Sequence, residues 1–360
     1  MVTTALSQDV RRERGERVRV MSFAGPGQMI WDERVLATDA SALELEVAGI
    51  CGTDRHIYAG RIEAPEDSVL GHELVGRVAS IAPDAPLVAD WEVRVGDRVV
   101  VAPGIDCGTC ANCSRLGTYC ENRRLYGLNI RSRGITGGLA PKMQLLPGTH
   151  VFRLPDRLPP LRAVFVEIVA CTVRALKRAL PEGEVLAQSS VQVLGFGPVG
   201  LAAATVALSE GAHVTVAEPA EPRRRLAEAL GFTTIDPHVD TGTADVVVEC
   251  AGNPEAFAQA IELVRTGGTV VEMGNAADLG PVALRPSAIC LRDLRVIGSS
   301  VTRYEDFPVA IRIVAETPVD LEAAITRVFR FDDVRDPNEL FHESGGLKAA
   351  ILFDGGDRDG

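Results

Sequence analysis

The feature that most constrains the fold of this sequence is a glycine-rich turn between a short apolar strand and an apolar helix. Gly195, Gly197 and Gly200 form G-x-G-x-x-G directly after VQVL, and the motif overlaps the start of the apolar run PVGLAAATVALS. The first glycine permits a tight turn, the second lets the backbone approach a pyrophosphate, and the third allows close helix–strand packing. A second strand, HVTVA, leads to Glu218, about 20 residues on. This order predicts a dinucleotide site with the pyrophosphate over the helix N-terminus.

Strand and helix patterns alternate around this turn. Between about residues 161 and 303, apolar strand candidates are joined mostly by helical segments, which is typical of a parallel, doubly wound sheet. Residues from about 17 to 160 instead contain short β-type runs broken by Gly and Pro, and the end of the chain returns to short mixed elements. The predicted fold is α/β, with a β-rich domain at 1–168 and 304–360 and a Rossmann domain at 169–303.

The acidic residue after the second strand bears on the cofactor. A carboxylate at Glu218 can accept hydrogen bonds from ribose hydroxyls and would repel a 2′-phosphate, which favours NAD over NADP. Arg223, Arg224 and Arg225 weaken that prediction, because an arginine here could host the 2′-phosphate. We interpret them as a solvated helix start from which Arg223 reaches the adenosine ribose. The alternative for the whole motif is a turn used for packing alone. The remaining predicted cofactor-binding residues are Pro198, Val199, Cys250 and Gly274.

Four of the eight cysteines lie close together in the pattern C-x2-C-x2-C-x6-C: Cys107, Cys110, Cys113 and Cys120. Four thiolates on one loop suit tetrahedral zinc, and such a closed set leaves no coordination position for a substrate. The sequence therefore predicts a structural zinc lobe at about residues 104–123. The alternatives are four unrelated free cysteines or a disulfide framework, and a chain of 360 residues without a visible signal peptide is expected to keep its thiols reduced.

Charge and hydropathy exclude two classes of partner. With 37 Lys and Arg against 49 Asp and Glu, the net charge is −12, whereas proteins that bind the phosphate backbone rely on basic side chains. The longest nearly apolar run, 198–208, is far shorter than the roughly 20 residues that span a bilayer. The N-terminal stretch is charged and shows no apolar signal region. We expect a cytoplasmic protein with no nucleic-acid or membrane partner.

Two segments of the β-rich region, GICGTDRH and GHE, carry further reactive side chains: Cys51, Thr53, Asp54, His56, His72 and Glu73. A thiolate and an imidazole beside carboxylates could hold a second metal and leave a position for water or substrate. A lone Cys or His is more often structural than a ligand, so the residue spacing leaves both interpretations open.

The order of motifs strengthens the metal interpretation. GICGTD, GHELVG, VGDRV, the four-cysteine loop and G-x-G-x-x-G follow one another as in the zinc-dependent medium-chain dehydrogenases, and the chain resembles this alcohol and polyol dehydrogenase superfamily over essentially its whole length. The resemblance implies a GroES-like catalytic domain, a Rossmann domain and a cleft between them. It also implies two zinc ions per chain, NAD, a small alcohol or carbonyl substrate, and a homodimer or homotetramer.

The resemblance further implies which residues hold the second zinc. Cys51 and His72 match zinc ligands of the family, and Asp54 matches a carboxylate that orients the histidine. The third ligand varies in the family between Cys and Glu, and FVEIVACTV offers Glu167, as in the polyol branch. Glu73 resembles a carboxylate that binds zinc directly or through water in some relatives, so both glutamates remain candidates.

A proton route and a cofactor contact follow from the same resemblance. Thr53 matches the hydroxyl that takes the substrate proton, and His56 matches the residue that relays it toward solvent. Zinc would lower the pKa of the substrate hydroxyl, and the hydride would pass to the nicotinamide. In GGLKAAILF, Lys348 matches the basic residue that reaches the cofactor pyrophosphate.

Some features depart from the family pattern. The last gap of the cysteine loop is six residues instead of seven, and APLVADWEVRVGD is longer than usual. That segment, with FAGPG and GGLAPKMQLLPGTHVFRLPD, resembles a branch found near phosphonate metabolism. A phosphonate or phosphate substrate would give a role to four basic residues that are otherwise ordinary surface charge: Arg55, Arg61, Arg131 and Arg133.

Two other functions compete with the zinc dehydrogenase. One is a non-catalytic NAD-binding scaffold of the same fold, which should have lost part of the catalytic set. The other is a zinc-free NADPH-dependent quinone or enoyl reductase, against which both zinc motifs argue. The number of zinc ions per chain separates the three: about two, one and none, respectively.

Overall fold

The computed structural model describes residues 15–83, 86–116, 119–180, 186–238, 242–275, 277–342 and 347–353. The strands of its first part are β1 (Gly15–Gly25), β2 (Gln28–Ala37), β3 (Ser41–Ile50), β4 (Ser68–Val69), β5 (Glu73–Ser80), β6 (Arg98–Val101), β7 (Gly104–Ile105), β8 (Arg124–Leu125), β9 (Lys142–Leu145) and β10 (Val151–Arg153). The later strands are β11 (Ser190–Leu194), β12 (His213–Ala217), β13 (Thr233–Ile235), β14 (Ala244–Glu249), β15 (Val264–Glu272), β16 (Arg295–Gly298), β17 (Ile325–Arg330) and β18 (Lys348–Leu352).

Helices are concentrated in the second half of the chain. They are α1 (Gly52–Tyr58), α2 (Ala111–Leu116), α3 (Pro160–Ala163), α4 (Val166–Ala179), α5 (Pro198–Ser209), α6 (Glu221–Ala229), α7 (Pro254–Leu263), α8 (Pro286–Cys290) and α9 (Phe307–Glu316). Short 3-10 helices span Tyr304–Asp306, Glu322–Ala324, Phe331–Asp333 and Pro337–Leu340. None of the helices in the described ranges is long and apolar enough to cross a membrane.

The first part of the chain is β-rich, as the sequence predicts. Seven strands form one sheet in the order β10-β6-β5-β3-β18-β17, with β9 also paired to β3, and β2-β1-β4 form a second sheet. The C-terminal strand β18 pairs antiparallel with β3, so that Ala350 lies opposite Gly49. Strand β18 thus returns to the sheet that β3 begins.

The middle of the chain forms a six-stranded parallel sheet in the order β13-β12-β11-β14-β15-β16. Its central strands are continuous apolar runs because helices cover both faces; Val246, Val247 and Val248 of β14 are all buried. The strand order reverses direction between β11 and β14, and ligands of such sheets bind outside the carboxyl ends at this point. The predicted fold class is confirmed.

Helix α4 joins the two regions. It packs against α5 and α9 and also contacts β5. Its apolar side chains share a single core with Val47 and Val75 of the seven-stranded sheet and with α5. The first turn of α4 carries Glu167, which is therefore held at the junction between the two sheets.

Candidate active site and metal centres

The four clustered cysteines form a compact ligand set. Their sulfur atoms all lie within 4.8 Å of one another, and no other group of three or more candidate ligands in the described ranges is as compact. Backbone N–H groups point at the sulfurs: the Cys107 N–H donates to Cys120 Sγ at 3.2 Å and the Cys110 N–H donates to Cys107 Sγ at 3.4 Å. Donors from Thr109 and Cys110 lower the pKa of Cys107 to about 6, whereas burial and the neighbouring thiols raise the pKa of Cys113 to about 12. This donor set fits tetrahedral zinc, which binds thiolates.

The cysteine lobe is tied to the rest of the protein by an ion pair and an aromatic stack. Asp106 accepts two hydrogen bonds from the Arg123 guanidinium at 2.5 and 3.2 Å. The Tyr304 hydroxyl donates to the Gly104 carbonyl at 3.2 Å and accepts from the Asp106 N–H at 3.3 Å. The Tyr304 ring also stacks on His150, with 3.4 Å between ring centroids. The lobe is thereby fixed against the segment that precedes α9.

Cys51, Asp54 and His72 are brought together where α1 begins and where β5 begins. The Asp54 carboxylate accepts from the Cys51 N–H at 2.8 Å and from the Gly71 N–H at 3.2 Å, and its Oδ1 lies 3.5 Å from His72 Nδ1. Burial lowers the pKa of His72, but the neighbouring charges of Asp54 and then Cys51 hold it well above its usual value. A carboxylate on one ring nitrogen of a histidine is the usual way to fix a ligand imidazole.

Glu167 approaches the same group from α4. Burial raises the pKa of Glu167 to about 7, although the charges of His72 and Lys348 act in the opposite direction. The Cys171 thiol, one turn further along α4, donates to Glu167 Oε1 at 3.6 Å. The partly exposed Cys51 thiol and the buried His72 imidazole and Glu167 carboxylate come from three separate elements and are a donor set that fits zinc. The raised pKa values of His72 and Glu167 are those of ligands that gain from a cation.

The second glutamate candidate, Glu73, has a partner of its own. Glu73 and Lys348 are both buried and form an ion pair through Glu73 Oε2. A Cβ at Gly49, opposite Glu73 on β3, would overlap the carboxylate, so glycine makes room for the pair. Glu73 Oε1 is buried and has no hydrogen-bond partner. The structure thus pairs Lys348 with Glu73 and places its charge near Glu167. Within the described residues, Lys348 makes no hydrogen bond to the glycine turn at 195–200.

Thr53 and His56 lie on α1 beside this group. The Cys51 thiol donates to the Thr53 hydroxyl at 3.8 Å. His56 is half-buried, and burial, then the charge of Arg61, lower its pKa. The imidazole is therefore neutral near pH 7 and can accept a proton. Arg55 is half-buried on the same helix, whereas Arg131 and Arg133 are exposed.

The glycine turn has the geometry that a phosphate site requires. Gly195 has a φ of +88°, and a Cβ at Gly200 would overlap the Gly195 carbonyl, so neither position accepts another residue without strain. A Cβ at Gly197 would meet nothing within 4 Å, which leaves open space above the N-terminus of α5. Pro198 and Val199 form the partly exposed first turn of this helix. The turn can hold a pyrophosphate by the helix N-terminus.

Glu218 is joined to this turn. Its Oε2 accepts from the Phe196 N–H at 2.7 Å, and its Oε1 accepts from the Ala220 N–H at 2.9 Å. Arg223 is exposed, whereas Arg224 donates to the Glu218 carbonyl at 2.7 Å. Each carboxylate oxygen keeps a second lone pair for a ribose hydroxyl.

Known proteins resemble the chain in sequence and fold. Family models described as "Alcohol dehydrogenase GroES-like domain" and "Zinc-binding dehydrogenase" match residues 38–156 and 198–316. The 2-dehydro-3-deoxy-L-galactonate 5-dehydrogenase of Pseudoalteromonas atlantica is 30% identical over 83% of this chain and 87% of its own length. A probable alcohol dehydrogenase of Mycobacterium tuberculosis is 34% identical over 79% and 83%, respectively. The solved structure of a putative zinc-binding dehydrogenase from Sinorhizobium meliloti, bound to NADP, matches 94% of this chain and 99% of its own with a TM-score of 0.81 and 28% identity.

The chain belongs to the zinc-dependent medium-chain dehydrogenases. The predicted superfamily and the predicted class of activity, an oxidoreductase of the alcohol and polyol dehydrogenase type, are confirmed at this level. Zinc and a nicotinamide cofactor belong to this family.

The sequence does not predict two features near the candidate sites of this dehydrogenase, the Cys171 thiol and a pair of glutamates. Cys171 was absent from the predicted zinc site, although a thiol four residues after Glu167 on a helix lies on the same face. A pair of glutamates, Glu249 and Glu272, flanks the predicted cofactor residues Cys250 and Gly274 at the ends of β14 and β15. No local motif reveals this pair, because only the strand register brings the two residues together.

Proposed function

We propose that this dehydrogenase transfers a hydride between NAD(H) and a small alcohol or polyol, or the matching aldehyde or ketone. The observation that supports the proposal most directly is the electrostatic interaction of Cys51, His72 and Glu167, which come from three elements, with Asp54 beside His72. The names of two relatives, a sugar-acid dehydrogenase and an alcohol dehydrogenase, support the same class of substrate.

Two zinc ions per chain are part of the proposal. Cys107, Cys110, Cys113 and Cys120 would hold a structural ion, and Cys51, His72 and Glu167 would hold the ion of the cleft. The cleft zinc, when bound, supplies a Lewis acid that lowers the pKa of a substrate hydroxyl or polarises a carbonyl. Asp54 keeps the His72 imidazole in place, and Cys171 keeps Glu167 in place through its hydrogen bond. Because Glu73 is paired with Lys348, we favour Glu167 as the third ligand.

Thr53 and His56 are proposed to move the proton. The Thr53 hydroxyl lies beside Cys51 and can accept a hydrogen bond from a substrate hydroxyl in the cleft. His56, whose pKa is lowered by burial and by Arg61, is neutral at physiological pH and can take the proton onward to solvent. This route needs no charged base next to the nicotinamide.

NAD is the proposed cofactor, bound by Gly195, Gly197, Pro198, Val199 and Gly200. The Glu218 carboxylate, joined to the turn through Phe196, would accept from the adenosine ribose and repel a 2′-phosphate. The competing observation is the NADP bound to the Sinorhizobium meliloti relative. If this chain bound NADP, the exposed Arg223 would be the residue that contacts the 2′-phosphate.

The proposed role of Lys348 at the cofactor pyrophosphate requires the lysine to leave Glu73. Both side chains are fully buried, so the pair is an ionic link between β18 and β5. A Lys348 that turned to a pyrophosphate would free Glu73 beside the zinc ligands. We therefore propose that Glu73 and Lys348 are coupled: when Lys348 contacts the cofactor, Glu73 becomes free beside the metal.

The proposals for domain limits, oligomeric state, partner and compartment rest on the sequence and on the family. We propose domain limits at 1–168 with 304–360 and at 169–303, a homodimer or homotetramer, and a small-molecule partner. The described cysteines are all free, which suits a reducing compartment such as the cytoplasm. A phosphonate or phosphate on the substrate would place its charge near Arg55 and Arg61, which lie on or just after α1.

Metal analysis combined with kinetics tests the proposal. We expect about two zinc ions per chain and turnover of at least one member of a panel of alcohols, polyols and hydroxyphosphonates, with a higher kcat/KM for NAD than for NADP. A fully zinc-loaded protein without turnover on the panel would favour a scaffold. Equal kcat/KM with the two cofactors would contradict the role given to Glu218.

A further inference from the structure

Two glutamates lie side by side at the edge of the parallel sheet where a dinucleotide would bind. Glu249 is the last residue of β14, Glu272 is the last residue of β15, and the register places them opposite each other. Residues in register on neighbouring strands point to the same face. The two carboxylates therefore share one space at the carboxyl edge of the sheet.

One oxygen of each carboxylate is engaged and the other is not. Glu249 Oε1 accepts from the N–H groups of Ala251 and Gly252, both at 2.8 Å. Glu272 Oε1 accepts from the Asn275 N–H at 3.0 Å and from its side-chain amide at 2.9 Å. The Oε2 atoms of both glutamates are buried and have no hydrogen-bond partner. Two ionised oxygens in this position repel each other, and a proton between them would satisfy both.

The groups around Glu249 and Glu272 favour a proton shared between the two carboxylates. Burial, then the charge of Glu272, raises the pKa of Glu249 to about 7. The neighbouring Cys250 thiol stays neutral, because burial and then the two carboxylates raise its pKa. The arginines of α4, which packs on β15 and β16, are engaged elsewhere: Arg174 donates to the carbonyls of Ser300 and Val301, and Arg178 to that of Gly298.

The pair is connected to the glycine turn by direct backbone packing. A Cβ at Gly195 would lie 2.8 Å from the Cα of Ala251, whose N–H is bound by Glu249. A Cβ at Gly274 would overlap both Glu249 Oε2 and the Gly252 nitrogen. The loop that Glu249 holds is thus pressed between the glycine turn and the loop that Glu272 holds. Any separation of the two carboxylates has to move this loop.

We propose that Glu249 and Glu272 share one proton near neutral pH and that this shared proton positions the loops bordering the cofactor site. Both glutamates are positioning residues, and the positioning role rests on the proposed binding of a nicotinamide cofactor at this edge. The two Oε2 atoms carry the proton between them, while the two Oε1 atoms hold the loops. Loss of the proton leaves two repelling carboxylates under the turn.

The sign of the pH effect follows from the direction of the shift. The pKa of Glu249 is raised above its unfolded value, so the shared proton is fully present at acidic pH and is lost as the pH rises through about 7. We expect the affinity for NADH to fall by about threefold to tenfold between pH 6 and pH 8.5 because of the pair.

Glutamine variants test the shared proton directly. In Glu249→Gln, the amide oxygen still accepts from Ala251 and Gly252, and the amide NH2 donates to Glu272 at every pH. Difference infrared spectra of the zinc-loaded protein at pH 6 should show the carbonyl stretch of a protonated carboxyl group in the parent, and Glu249→Gln should lose it. Glu255→Gln, which changes an exposed carboxylate of α7, is the matched control and should keep the band. A parent without the band overturns the proposal.

NADH titrations between pH 6 and pH 8.5 test the positioning role. The parent and Glu255→Gln should lose affinity as the pH rises, whereas Glu249→Gln and Glu272→Gln should bind NADH with nearly constant affinity. Other titrating groups are shared by all four proteins, so the difference in slope reports the pair. Identical slopes overturn the positioning role. A parent that binds neither NADH nor NADPH at any pH would overturn the proposed function and the positioning role with it, while the infrared band would still decide whether the proton is shared.

Discussion

The two proposed zinc sites draw their ligands from the chain in opposite ways. The cysteine lobe takes Cys107, Cys110, Cys113 and Cys120 from one short loop, and their sulfurs already lie within 4.8 Å of one another. The cleft takes Cys51 from the start of α1, His72 from the residue before β5 and Glu167 from α4. A local ligand set can stabilise only its own loop, whereas a set assembled from three elements depends on the whole fold and can face a ligand.

The two sites also differ in how their ligands are supported. The lobe cysteines are partly exposed and satisfied by backbone N–H groups, as in a self-contained metal loop. In the cleft, His72 and Glu167 are buried and supported by further residues, Asp54 on His72 and Cys171 on Glu167, whereas Cys51 is partly exposed. Buried charged groups of this kind destabilise the fold unless a cation joins them, so they indicate a functional site.

Replacing one cleft ligand should have the largest effect. We expect Cys51→Ser to reduce kcat by about 10³-fold or more, because a Lewis acid supplies several kcal/mol and each 1.36 kcal/mol corresponds to tenfold in rate. The fold should remain, as judged by circular dichroism and thermal unfolding. Cys290→Ser, which changes an exposed thiol of α8, is the control and should turn over normally. A Cys51→Ser protein that keeps its metal and turns over like the parent would place the catalytic centre elsewhere.

The proton route is the part of the cleft that zinc ligation does not imply. We expect Thr53→Val to reduce alcohol oxidation by about 10²- to 10⁴-fold, the usual contribution of a positioned acid–base group. Zinc content and NADH affinity should be unchanged, because the Thr53 hydroxyl lies 3.8 Å from Cys51 Sγ and its loss removes only a weak contact. If Thr53→Val oxidised alcohol at the parent rate, the proton would have to leave through Glu73.

Replacing a cysteine of the lobe should lower the stability of the protein and leave its turnover rate nearly unchanged. We expect Cys110→Ser to lower the free energy of unfolding by about 3 kcal/mol or more and to reduce the zinc content by about one ion per chain, since a structural zinc contributes folding free energy directly. The kcat of the protein that remains folded should stay within about twofold of the parent. Denaturant unfolding and metal analysis check both statements. A variant with unchanged stability and one zinc lost would mean that the lobe folds without metal.

The same contrast between local and distant contacts decides what the sequence could predict. The glycine turn and the cysteine loop are local patterns, and the six-stranded sheet could be predicted because its buried strands are continuous apolar runs. The pairing of Glu73 with Lys348 joins residues 275 positions apart in the sequence and depends on β18 returning to β3. Glu249 and Glu272 look like polar residues that end apolar strands, and only the register of β14 and β15 makes them a pair.

The smallest expected effect concerns the attachment of the lobe to the rest of the protein. Tyr304→Phe keeps the ring stacked on His150 but removes the hydroxyl that bonds to Gly104 and Asp106. Each such hydrogen bond contributes about 1 kcal/mol, so we expect the free energy of unfolding to fall by about 1–2 kcal/mol. Burial raises the pKa of Tyr304 to about 12, so the hydroxyl stays protonated and the loss should be the same at pH 6 and pH 9. Tyr119→Phe removes an exposed hydroxyl of the lobe and should leave stability unchanged. A Tyr304→Phe protein with parent stability and a tenfold lower kcat would link this contact to the cleft and break the separation between a structural and a catalytic zinc site.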